Sequence, residues 1–148
     1  MICITRYYGV NFNYTCRENF NALYFACNQS NNLECIKFLI DIGIKINVMS
    51  AYGCTPLSNL CTYPNNLEYI EYLVDHGGDI NDSMLYNACQ LSNNLESIKY
   101  LIEIGINVKY TNKQDIWNAA IKTDDKVVIG YLQNNFMKNR RFNLFIII

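Results

Sequence analysis

Residues 31–47 read NNLECIKFLIDIGIKIN, and the same phrase returns as NNLEYIEYLVDHGGDIN at 65–81 and as NNLESIKYLIEIGINVK at 93–109. The tetrapeptide Asn-Asn-Leu-Glu opens each copy, at offsets of 34 and then 28 residues. A more divergent copy, DDKVVIGYLQNN, begins at Asp124, a further 31 residues on. Self-similarity at a period of this size marks a stacked-repeat architecture and outranks any reading of single segments. Within each copy the apolar residues fall at helical spacing: Leu33, Ile36, Leu39, Ile40, then Leu67, Ile70, Leu73, Val74, then Leu95, Ile98, Leu101, Ile102. Gly43, Gly77 and Gly105 follow at matching places, where a left-handed C-cap costs glycine least.

A second, shorter apolar stretch precedes each copy: NALYFAC, TPLSNLC, SMLYNAC and IWNAA. Leu23, Leu57, Leu85 and Ile116 are equivalent in it, as are the small residues Cys27, Cys61, Cys89 and Ala120. The expectation is two antiparallel helices per unit, the first of about nine residues. Neither helix can bury its apolar face alone, so neighbouring units must stack to complete a core.

Segment 53–81, from Gly53-Cys54-Thr55-Pro56-Leu57-Ser58 to Asp79-Ile80-Asn81, closely resembles the ankyrin consensus. Thr55 takes the place of the first-helix cap and Pro56 that of its first residue, where a missing N–H is harmless. The resemblance covers roughly residues 3–135 and implies an all-α ankyrin-repeat solenoid with short β-turn fingers. It divides the chain into an ankyrin domain at 1–137, with a half repeat 1–13 and repeats about 14–47, 48–81, 82–109 and 110–137, and a tail at 138–148. The first segment, Tyr8 to Asn13, aligns with Ile42 to Asn47, so the chain begins in mid-repeat, as a fragment of a longer array or with an improvised start. The Asn- and Ile-rich style and the Asn-Asn-Leu-Glu turns resemble the ankyrin arrays of giant DNA viruses, although the same bias follows from an AT-rich genome.

Three departures from the family pattern carry expectations. The usual histidine after Thr-Pro-Leu is Ser58 here, and Tyr24, Tyr86 or Trp117 in the other units, which removes a tie between adjacent loops. The helix-to-helix turn is one residue longer than the family's. The third unit is six residues short just after Asn81, where Asp82-Ser83 stands in place of the finger Val48–Cys54, leaving a gap in the row of fingers. Tetratricopeptide repeats share the 34-residue period but need two longer helices and a Trp-x-x-Leu-Gly signature.

Bulk properties narrow the function. The chain of 148 residues is 51% hydrophobic with a net charge of −1, acids and bases mixed along it, so it is a folded protein. It lacks the basic stripe that nucleic-acid binding requires. The seven cysteines are odd in number and without metal-site spacing, and no apolar run reaches spanning length or reads as a signal peptide. An intracellular, reducing setting follows. Cys27, Cys61 and Cys89 read as small core residues, while Cys16 and Cys54 fall on fingers as candidate exposed thiols. His76, the single histidine, sits in the last turn of a helix, where positive charge suits the dipole, with no nucleophile or carboxylate at motif spacing. The tail from Met137 to Ile148 is basic, then apolar. Docking as a C-terminal cap, peripheral membrane contact and disorder are all open for it.

No phosphate loop, catalytic carboxylate pair or nucleophile motif is present, and no cofactor or metal is implied. The expected function is non-catalytic protein–protein recognition, with a host protein in the host cytoplasm if the viral likeness holds. The alternatives are a structural element that self-associates through uncapped ends, and a degenerate repeat gene product. Ankyrin proteins bind partners with finger tips and the first-helix face, which puts Tyr14, Arg17, Met49 and Tyr52 on fingers and Phe25 and Trp117 on first helices. Tyr, Trp, Met and Arg are the residue types enriched in interface cores.

Overall fold

The computed structural model describes residues 11–28, 32–106 and 113–137. Eight helices lie among them: α1 (Ala22–Cys27), α2 (Leu33–Asp41), α3 (Pro56–Leu60), α4 (Leu67–Asp75), α5 (Asp82–Cys89), α6 (Leu95–Glu103), α7 (Lys113–Lys122) and α8 (Lys126–Met137). No strand occurs among the described residues. The odd-numbered helices form one row, α1 on α3, α3 on α5 and α5 on α7, and each packs its own successor as an antiparallel pair. Each Asn-Asn-Leu-Glu phrase starts a second helix, as its periodicity requires.

The first helices depart from the expected nine residues. They span 6, 5, 8 and 10 residues. Helix α3 is the shortest, closed at its start by Thr55 and Pro56: the Ser58 amide donates to Thr55 Oγ1 at 3.1 Å and the Thr55 amide to Ser58 Oγ at 2.9 Å.

One core runs the length of the stack. Leu23, Leu57, Leu85 and Ile116 from the first row are buried, as are Ile36, Leu39, Ile70, Leu73, Ile98 and Leu101 from the second. Val128 and Leu132 continue it in α8. Cys27, Cys61, Cys89 and Ala120 sit in the same core as the small residues that let helices approach closely. Burial pushes the Cys61 and Cys89 thiols up to about 12 and raises that of Cys27 further.

The second helices α2, α4 and α6 end in the same motif. At the end of α2 the Gly43 amide donates to the Ile40 carbonyl at 2.9 Å and the Ile44 amide to the Leu39 carbonyl at 3.1 Å, with Gly43 at φ +84°. Gly77 and Gly105 repeat it at φ +89° and +86°. The residue after the glycine points inward, as buried Ile44 and Ile106 do, but in α4 it is Gly78. A Cβ there would stand 2.9 Å from the Leu73 carbonyl oxygen and 3.0 Å from Leu57 Cδ2.

The doubled asparagines do structural work that codon bias does not explain. Asn65 and Asn93 adopt φ +60° and +59°, and Asp124 takes φ +52° at the same place in the fourth unit. The next residue, Asn66 or Asn94, is buried and turns back to bond a carbonyl of the preceding helix, Leu60 at 3.3 Å and Ala88 at 3.1 Å. Asparagine suits both roles, since it tolerates the left-handed region and its amide can satisfy backbone groups.

The weaker inter-repeat tie expected from the missing histidine is offset by other side chains. Asn13 Oδ1 accepts from the Lys45 amide at 2.6 Å. One repeat later Asn47 Oδ1 accepts from the Asp79 amide at 2.8 Å while its Nδ2 donates to the Gly77 carbonyl at 2.8 Å. Asn81 stands at the next equivalent position, where its Oδ1 accepts from Ser83 Oγ at 2.6 Å; residue 107, equivalent to Lys45 and Asp79, lies outside the described residues. The six-residue deletion lets helix α5 start directly after Asn81, with no finger between them, so Asn81 also serves as its cap.

Candidate interaction surface

The two fingers among the described residues are tight turns built to one pattern. In the first, the Asn19 amide donates to the Cys16 carbonyl at 2.9 Å and the Cys16 amide to the Phe20 carbonyl at 3.0 Å. In the second, Gly53 bonds Ser50 at 3.0 Å and Ser50 bonds Cys54 at 2.9 Å. The last corner needs positive φ, supplied by Asn19 at +63° and Gly53 at +76°. The fingers are stitched side by side: the Ala51 amide donates to the Glu18 carbonyl at 2.8 Å, and Asn19 Nδ2 to the Met49 carbonyl at 2.6 Å.

This stitching brings aromatic rings together at the junction of the first two units. Phe20 lies 4.1 Å from Tyr24, 5.9 Å from Phe25 and 6.2 Å from Tyr52, centroid to centroid. Offset and edge-on arrangements at these distances are attractive. Tyr24 donates to Asn59 Oδ1 at 3.3 Å, which leaves the buried Asn59 Nδ2 without a partner. The Tyr63 hydroxyl bonds Asn28 on the adjacent unit.

Of the residues expected to meet a partner, five are exposed. Tyr14 is 76% exposed, Tyr52 73%, Met49 58% and Phe25 51%, and Arg17 lies at the outer corner of the first finger. Arg17 makes no ion pair with the described residues. The structure joins Phe25 and Tyr52 through Phe20, with the Met49 backbone held to the same pair of fingers. Trp117 is half-buried in α7, where its ring packs against the core, far along the stack from the aromatic group. Trp117 occupies the same first-helix place as Tyr86, which also leans on the core. Phe20 escaped the sequence reading because its equivalent in the next unit is Cys54, so no repeat pattern marks it.

Cys16 and Cys54 are half-buried, not open thiols, and Cys16 Sγ donates to Glu18 Oε2 at 3.3 Å. Among the described residues the exposed cysteine is Cys35, on α2. His76 is the C-cap of α4, with its Nδ1 2.7 Å from the Tyr72 carbonyl and its ring stacked 4.1 Å from that of Tyr72. No helix among the described residues is long and apolar enough to cross a membrane. The tail 138–148 lies outside the described residues.

A stack of paired helices with turn fingers along one side defines the ankyrin class of repeat protein. Comparison with known sequences agrees: residues 2–84, more than half of the chain, match the family described as ankyrin repeats in three copies, and the chain belongs to the ankyrin-repeat family. Among solved structures, 225 chains match. One is the human ASB11 ankyrin repeat domain, similar at a TM-score of 0.75 and 21% identity over 86% of this chain and 59% of that one. This chain therefore spans about three fifths of that domain, and the likeness is one of fold. None of the curated proteins matches. Ankyrin repeats are generally protein–protein interaction modules and generally non-catalytic.

Proposed function

We propose that this chain is a non-catalytic recognition module that binds a protein partner through its stitched fingers and the adjoining face of α1. The observation that carries this reading is the exposed aromatic group itself. Phe25 on the outward face of α1 and Met49 and Tyr52 on the second finger leave apolar area in water, with exposed Arg17 on the first finger, and none of these side chains belongs to the core. Partner contacts here would remove that area from water, and an anchored ring is the usual centre of such an interface. On the viral likeness of its repeats, the partner is a protein of an infected host cell, met in its cytoplasm.

The test is affinity capture from host lysate, followed by a binding measurement with the captured protein. Wild type is compared with a Tyr52→Ala, Met49→Ala double variant. Capture should fall at least tenfold while the melting temperature shifts by only a few degrees, because the exposed Tyr52–Phe20 stack is worth about 1 kcal/mol or less. Unchanged affinity for a confirmed partner would end the finger reading. Light scattering across concentration separates it from self-association, which would show mass rising with concentration.

A further inference from the structure

The missing third finger leaves a slot with its own recognition chemistry. Each finger hands a carbonyl to the next: Glu18 accepts the Ala51 amide at 2.8 Å. The equivalent carbonyl on the second finger, 34 residues on, belongs to Tyr52. No finger follows it in the third unit, and among the described residues its one polar contact is with Cys54 Sγ at 3.9 Å. The apolar residue beneath tells the same story. Phe12 and Ile46 are half-buried where a finger follows them, whereas the equivalent Ile80 is 40% exposed.

Charge adds a second requirement. The mixing of acids and bases breaks down between Lys45 and Lys99, a span without Lys or Arg that carries Glu68, Glu71, Asp75, Asp79, Asp82 and Glu96, the last of these paired with Lys99 at 2.8 Å. The slot opens in the middle of this span, beside exposed Asp79.

We infer that the slot between the second finger and α5 receives a basic β-turn segment of a partner protein, which completes the row as a surrogate third finger. The segment donates a backbone amide to the Tyr52 carbonyl, so that position is not proline. An apolar side chain covers Ile80, and a lysine or arginine at the turn meets the acidic span. This continues an interface the molecule already contains, the finger-to-finger stitch, and adds the pairing mode in which a partner's backbone extends an open edge. The inference rests on the recognition function proposed above but names a separate part of the surface.

The experiment uses the full chain and a defined probe: a cyclic peptide with the sequence of residues 47–55, carrying Ala51→Lys and Cys54→Ser. Titration followed by amide NMR should give saturable shifts centred on Tyr52, Ile80 and Ser83, with Arg17 unmoved. Methylating the lysine amide of the peptide should weaken binding about fivefold, the worth of one ordinary hydrogen bond. Exchanging that lysine for glutamate should weaken it too, and the difference should shrink in about 0.5 M salt. A chain in which Asp82 is replaced by the sequence of Val48–Cys54, filling the slot, should no longer bind. Absence of saturable shifts up to about 1 mM peptide overturns the inference, as does indifference to the methyl group. The methylated peptide decides the matter alone if the filled chain does not fold. A chain that dimerises without peptide, and stops doing so when the slot is filled, gives the slot to a second copy and overturns the partner segment. Because the peptide reads the slot directly, its failure leaves the Tyr52 and Met49 capture result standing, and the reverse also holds.

Discussion

Asn93 and Asp125 show how single residues tie this stack together. The Asn93 backbone is left-handed at φ +59°, and its amide donates to Asp125 Oδ2 on the next unit at 2.9 Å. Asn93→Ala should cost about 1 kcal/mol, the strain of a Cβ in that region, whereas Asn93→Gly should be neutral or mildly stabilising. Chemical denaturation of both variants checks this, and equal losses would contradict it. Asp125 also caps α8, accepting from the Val127 and Val128 amides at 3.0 and 3.2 Å. The Asn93 amide, first, and those of Val128 and Val127 hold its carboxyl below the ordinary 3.8. The folded value is thus lower than the unfolded one, and in that window the unfolded state binds more protons. Asp125 stabilises the fold fully above about pH 4 and loses that contribution as pH falls through its depressed folded value. The melting advantage of wild type over Asp125→Asn should accordingly shrink in acid. A gap that stays constant down to pH 2 would rule this out. The buried thiols make a further residue-scale prediction. In the native protein Cys27, Cys61 and Cys89 should resist a thiol reagent that labels Cys35 at once, since the thiolate is the reactive form and burial disfavours it.

At the scale of elements, the second helices are the ones whose sequence pattern and packing agree most fully. Leu73 in α4 is 0% exposed, near the centre of the stack. Leu73→Ala should cost about 2–5 kcal/mol, read from denaturant midpoints, and a loss below about 0.5 kcal/mol would contradict its core placement. The C-cap beside it makes a sharper point. The residue after the cap glycine is isoleucine in two units, yet Gly78→Ala should destabilise by about 1–3 kcal/mol, because here the added Cβ meets backbone oxygen that cannot swing aside. The first helices vary more, from 5 to 10 residues, because their starts depend on what precedes them. Thr55 and Pro56 hold α3 to a late start. Loss of the finger lets α5 begin at Asp82, with Asn81 as its cap.

At the scale of the whole molecule, the ties between units are uneven among the described residues. Side-chain and backbone bonds from Asn19, Tyr24, Asn47 and Ala51 join the first and second units. The second and third are tied, among the described residues, by Asn87 Nδ2 to the Ser58 carbonyl at 3.3 Å, besides their shared apolar packing. In a linear stack each unit is stabilised by its neighbours, so a thin junction is where cooperativity breaks first. Hydrogen exchange on Ile98→Ala should therefore show amides of α5–α8 losing protection well before those of α1–α4. Uniform loss along the chain would show that the junction is as strong as the others.

The repeat period, the paired helices, the glycine caps, the core positions and the missing finger were all legible in the sequence. Each is a local signal, set by spacing within one unit and then repeated, so the copies reinforce one another. Exposure of Tyr14, Met49, Tyr52 and Phe25 also followed from their places on fingers and on an outer helix face. Other features waited for the tertiary structure. Phe20 as the hub of the aromatic group, Asn13 and Asn47 as bridges, the inward lean of Trp117 and the uncovering of Ile80 depend on groups brought together from different units. Nothing in the local pattern names a partner some thirty residues away. Stacking decides it, because the distance between equivalent positions is set by how the helices pack and not by the chain between them.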